Sequence, residues 1–102
     1  MDMRSIPTNR PPTPPGEFVR EFLEDLGVSQ SELARRIHVP FQRVNDVVNG
    51  RRAITASTAL RLARFFGNTA EFWMNAQLAC DLFDASRSEK NTLKRIEPVG
   101  AR

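Results

Sequence analysis

The sequence predicts an all-α fold, five helices in one orthogonal bundle, on three observations. Apolar residues recur at helical spacing in five successive segments. Residues that start or stop helices, among them Gly27, Pro40, Gly50, Thr55 and Gly67, fall between those segments. No segment alternates apolar and polar residues as a half-buried strand would, and no internal repeat is present. A chain of 102 residues supports one domain with a single modest core.

Residues 1–14 are rich in proline and polar side chains (IPTNRPPTPP), which predicts a flexible, extended arm in front of the domain. Glu17 opens the first helix, with Phe18, Val19, Phe22, Leu23 and Leu26 on one face and Gly27 closing it. Ser29 caps the second helix, and Glu32 three residues later completes a capping box. Leu33, Ala34 and Ile37 form its apolar stripe, and His38 and Val39 interrupt the pattern. Pro40 fits the first turn of the third helix, where its missing N–H loses no partner. Val44, Val47 and Val48 give that helix its buried stripe, so Phe41, Gln42, Arg43, Asn45 and Asp46 face outward. Asn49 and Gly50 end it through a left-handed cap.

Two short helices across a three- to four-residue turn, within residues 29–50, are the arrangement a helix-turn-helix needs to set its second helix in the major groove of DNA. Thr55 then caps a fourth helix with Ala56, Ala59, Leu60, Ala63 and Phe66 as its stripe, Ile54 as hydrophobic staple and Gly67 as its end. A fifth helix starts at Thr69, with Glu71 near the positive end of its dipole, and runs to roughly Phe83. Phe72, Trp73, Ala76, Ala79, Cys80 and Phe83 share a stripe, and Met74, Leu78 and Leu82 spread apolar character beyond the width one core contact requires. The domain is expected over residues 15–85, followed by a basic tail over 86–102. In that tail Ser86 and Glu89 can cap one weak extra helix carrying Leu93 and Ile96, which Pro98 and Gly100 stop.

The net charge of +3 is modest, but its distribution is not uniform. From Glu17 to Val28 the sum is −3, Arg20 standing against Glu17, Glu21, Glu24 and Asp25. From Ser29 to Arg52 it is +3, five arginines against Glu32 and Asp46, and the tail from Ser86 adds another +3. Positive charge therefore gathers on the helix-turn-helix and the tail, as contact with phosphate requires. One cysteine and one histidine offer neither an internal disulfide nor a zinc site, so no metal or cofactor is expected. No apolar run of about eighteen residues and no signal-peptide core appear, so the expectation is a cytoplasmic protein away from the membrane. The acidic residues Glu17, Glu21 and Glu24 follow helical spacing as a solvated face does, and no convergent set of catalytic side chains is visible. The reading is not an enzyme.

Residues Pro14 to Leu82 resemble the HigA-type antitoxins, members of the Xre/Cro-like helix-turn-helix class with a lambda-repressor-like bundle. Three pieces carry the likeness: the PGE opening before the first helix, NGRRAIT after the third, and EFWMNAQ in the fifth. The resemblance implies a dimeric antitoxin that neutralises a RelE-like mRNA-cleaving toxin and represses its own operon by binding double-stranded DNA at an operator palindrome. A stand-alone repressor of the same class, without a toxin, is the alternative, and a pure protein-interaction module is a third.

On the third helix, Gln42 offers the donor and acceptor pair that matches an adenine edge, and Arg43 can grip guanine or a phosphate. Pro40 and Phe41 are apolar and outward, suited to a thymine methyl, although Phe41 can also fold back on the core. Asn45 and Asp46 lie one turn later, where Asp46 meets a cytosine amino group, pairs with an arginine, or stays in solvent. By the resemblance, Gln30, Asn49, Arg51 and Arg52 match positions that hold the DNA backbone, although Gln30 and Asn49 can instead serve only as local caps; contacts of that kind fix register rather than sequence. The resemblance also puts His38 at a turn position where the class often has Gly, which implies left-handed backbone that His tolerates better than branched residues do. Arg35 and Arg36 form a solvated face, one of them within reach of an acid on the first helix. For dimerisation the expected residues are Trp73, Met74, Leu78 and Leu82, because a two-fold pair can span two half-sites; burial within the bundle, or cover by the toxin, is the alternative for the fifth helix.

Overall fold

Gly16 shows how tightly this chain is assembled: a Cβ added there would run into the carbonyl oxygen of Val47 and come within 2.7 Å of that of Val48. The first helix thus seats its opening turn directly on the last turn of the third. The computed structural model describes residues 10–100, and in them the elements run α1 (Pro15–Leu26), α2 (Gln30–Ile37), α3 (Phe41–Val48), α4 (Ala56–Phe66), α5 (Ala70–Ser88) and α6 (Lys90–Lys94). The bundle is all-helical, with six helices among the described residues. Helix α5 runs five residues past the expected end at Phe83, and the weak extra helix forms as the single turn α6. Residues 1–9 of the arm and 101–102 of the tail lie outside the described residues.

Helix ends follow the predicted chemistry. The Ser29, Thr55 and Thr69 hydroxyls each accept the backbone N–H three residues on, from Glu32, Thr58 and Phe72. Glu32 does not complete the capping box with Ser29; its carboxylate turns to Arg35 at 2.6 Å and Arg36 at 3.8 Å. Those two arginines therefore pair within α2, not with α1. Gly27, His38 and Gly50 adopt left-handed backbone, and after each the chain closes with the paired bonds of a Schellman motif. At α1 this brings Val28 back over Leu23, leaving Leu26 exposed instead of in the stripe. Pro40 sits just before α3, its φ of −63° helical but its ψ of 147° extended, one residue earlier than expected.

The core gathers Val19, Leu33, Val44, Val47, Ile54, Ala59, Leu62 and Trp73. Helix α4 turns a slightly different face inward than the sequence suggested. Ala59, Leu62, Ala63 and Phe66 follow i, i+3, i+4, i+7, whereas Leu60 lies well off that line and is exposed. Trp73 is enclosed completely, its ring among Phe22, Phe66 and Phe72 and its indole N–H donating to Asn68 Oδ1 at 2.9 Å. Beyond Cys80, α5 leaves the core. The radius of gyration is 16.8 Å, against about 13 Å for a compact chain of this size, because the second half of α5 and α6 project from the bundle.

Candidate nucleic-acid interface

Helix α3 buries Val44, Val47 and Val48 and turns its opposite face outward, which puts Phe41, Gln42 and Asn49 at the surface and Arg43, Asn45 and Asp46 at its margin. Phe41 is 47% exposed, so of its two expected positions it takes the outward one. Pro40 is exposed beside it. Among the described residues, Arg43 and Arg52 form no salt bridge.

The remaining polar side chains are joined to one another. Gln42 Nε2 donates to Asp46 Oδ1 at 2.8 Å, and Arg51 Nε donates to the same oxygen at 3.1 Å. Arg51 Nη2 donates to Asn45 Oδ1 at 2.9 Å, while Asn45 Nδ2 donates to Gln30 Oε1 at 3.1 Å. Helix α2, helix α3 and the following loop are thereby tied across one surface. Of the three settings open to Asp46, it takes the arginine pair. The Gln42 amide first and the Arg51 guanidinium after it hold the Asp46 carboxyl below its usual range, against the opposing effect of burial. Asn49 turns its amide back onto the Asn45 carbonyl at 2.9 Å.

Residues outside the expected set position this surface. Arg61 of α4 donates to the Ile37 carbonyl at 2.7 Å and thereby braces the turn between α2 and α3. Gln77 of α5 accepts the Ile54 N–H at 2.8 Å and so fixes the end of the loop that carries Arg51 and Arg52. Arg20 of α1 donates to the Val48 carbonyl at 3.4 Å, at the last turn of α3. No periodicity marks such side chains, because each bonds a backbone group on another element.

On α5, Met74, Leu78 and Leu82 are 37%, 53% and 60% exposed. Trp73, expected beside them at a dimer contact, is 0% exposed. Its indole is the centre of the protomer's own aromatic cluster and has no surface to offer a partner. Cys80 lies against the Pro12 and Thr13 carbonyls, so the described end of the arm runs along α5. Burial, then Asp84 and Asp81, push its thiol up, away from the reactive thiolate. No helix of the described residues is long and apolar enough to cross a membrane.

Two short helices braced across a left-handed turn, with the outer face of the second open, define a helix-turn-helix protein. A family model described as helix-turn-helix matches residues 19–73. The chain is 38% identical to antitoxin HigA-1 of Vibrio cholerae over 93 residues, covering 90% of this chain and 88% of that protein. It superposes on an addiction module antidote protein of the HigA family from Coxiella burnetii with a TM-score of 0.83 and 44% identity, over 87% of this chain and 99% of the other. A Pseudomonas aeruginosa antitoxin HigA, solved with the higBA promoter, gives a TM-score of 0.82 and 40% identity over 86% and 98% of the two chains. The chain belongs to the HigA-type antitoxins, within the Xre-like helix-turn-helix proteins.

Proposed function

We propose that this chain is a dimeric antitoxin that represses its own operon by binding an operator palindrome and neutralises a RelE-like mRNA-cleaving toxin. The observation that carries the DNA half is the polar surface of Gln30, Gln42, Asn45, Asp46 and Arg51, joined by hydrogen bonds across α2, α3 and the following loop. In this reading Pro40, Phe41, Gln42, Arg43 and Asn45 meet the floor of the major groove with Asp46 beside them in its pair with Arg51, while Gln30, Asn49, Arg51 and Arg52 flank it at the phosphates. The relative solved with a promoter supports the same orientation of function. Exposed Met74, Leu78 and Leu82 support pairing through α5, which would set two recognition helices about one DNA turn, roughly 34–36 Å, apart. Neither role requires catalysis.

The test is co-expression with the product of the neighbouring reading frame. Growth rescue and co-purification support the antitoxin reading; rescue failing while DNA binding persists favours a stand-alone repressor. Binding to the DNA upstream of the reading frame should weaken steeply with salt, each neutralised phosphate adding about −0.9 to the log–log slope. Affinity flat with salt, or equal on scrambled duplex, would sink the DNA half.

A further inference from the structure

Asp46 is the one acidic side chain of α3, on a face otherwise suited to meeting a polyanion. A carboxylate there repels phosphate, so its presence calls for a use. Its Oδ1 accepts from Gln42 on one side and from Arg51 on the other, and its backbone carbonyl accepts the Arg51 N–H at 2.7 Å. Arg51 is thus tied to Asp46 by both main chain and side chain. Resting on the DNA-binding reading above, we propose that Asp46 determines sequence specificity as a positioning residue: it orients the Gln42 amide for base reading and withholds Arg51 from phosphates of unrelated DNA.

The first effect follows from donor and acceptor chemistry. An ionised carboxylate only accepts hydrogen bonds, so Gln42 must turn its NH2 group toward Asp46 and its Oε1 away. One Nε2 hydrogen remains for a base, beside the outward Oε1. That pair matches the N7 acceptor and N6 donor of adenine. Gln42 would otherwise present either amide orientation, and one of the two would oppose the base. Prior ordering also lessens the side-chain freedom lost on binding. The second effect is electrostatic. Arg51 directs Nε at Asp46 and an Nη2 N–H at Asn45 Oδ1, so its charge is partly neutralised and its head is held over α3, which weakens its pull on a phosphate. Cognate contact, with Gln42 engaged, can offset this; random sequence cannot.

The experiment uses the full-length chain and a duplex selected by the wild-type protein from a randomised pool. Its single-base-pair variants and a mixed-sequence duplex of equal length complete the set. Gln42→Ala, Asp46→Asn and the double variant are compared, with Arg51→Ala made alone and in the Asp46→Asn background. Asp46→Asn should cut discrimination at the base pair read by Gln42 by roughly 5- to 150-fold, and add nothing once Gln42→Ala is present. It should also tighten mixed-sequence binding and steepen its salt slope by about 0.9, a gain absent when Arg51 is alanine. Asp46→Glu, which keeps the carboxylate, should restore part of both. Additive losses from Asp46→Asn and Gln42→Ala, or losses at a different base pair, would mean that Asp46 touches a base directly and would overturn the proposal. A salt-slope gain persisting without Arg51 would overturn it as well. A wild-type protein that selects no sequence would end the DNA-binding reading itself, a separate outcome.

Discussion

His38 holds a backbone angle that costs an L-residue energy: at φ 61° its Cβ crowds the following carbonyl, by about 1–2 kcal/mol in general. The turn between α2 and α3 accepts that cost because Arg61 grips the carbonyls of Ile37 and His38 from outside. His38→Gly should therefore raise stability by about 0.5–1 kcal/mol, and His38→Val should lower it, as read from urea unfolding midpoints. Equal midpoints for the two variants would contradict a left-handed turn. The place of the turn was readable in the sequence, because His38 and Val39 break an apolar pattern just before Pro40, whereas its left-handed backbone followed only from the resemblance. The partner of Asp46 was readable only as one of three options. Its selection depends on Arg51 returning through the Schellman motif at Gly50, a three-dimensional closure that spacing alone does not express.

Among the elements, α1 and α3 are joined where nothing larger than hydrogen fits. Gly16→Ala should push the opening turn of α1 off the Val47 and Val48 carbonyls, at a cost of about 1–3 kcal/mol by overpacking. Because those carbonyls end α3, the proposed DNA-reading helix, operator affinity should drop further than the loss of folded protein explains; fluorescence anisotropy corrected for the folded fraction measures it. Unchanged affinity per folded molecule would show that α3 does not lean on α1. All five expected helices were legible from caps and stripes, yet α4 was turned to Leu60 rather than Leu62. Leucines two residues apart point to opposite sides of a helix, and only packing on α2 and α5 chooses between them. The length of α5 was underestimated for a related reason. Its second half, through Asp84, Ala85 and Ser88, lacks an apolar face against the bundle, so periodicity fell silent while the backbone continued.

The molecule as a whole is a closed bundle with an open projecting helix. Leu78 and Leu82 stand on that projection, and the proposal that a second copy covers them makes a plain prediction. Leu78→Glu with Leu82→Glu should leave the thermal unfolding of the bundle cooperative but give a monomer in analytical ultracentrifugation. Operator binding should then weaken by at least about ten-fold, since one half-site binds alone. A dimer that survives both substitutions would place pairing elsewhere. Trp73 illustrates why the sequence could not rank the apolar residues of α5: Trp73 and Met74 are neighbours in the chain, and one fills the protomer's centre while the other reaches solvent. Membership of the family was legible from three short motifs, and for two of them the structure supplies a physical reason. PGE provides the glycine that α1 needs against α3, and the last residue of EFWMNAQ is Gln77.

The bond from Ile54 N–H to Gln77 makes α5 a structural ruler for the loop that follows α3. In a pair assembled through α5, the tilt of each recognition helix, and with it the number of base pairs separating the two half-sites, would be written in the angle at which the two α5 helices cross. Evolving a new operator spacing would then require changes on α5, while α3 could keep reading the same bases.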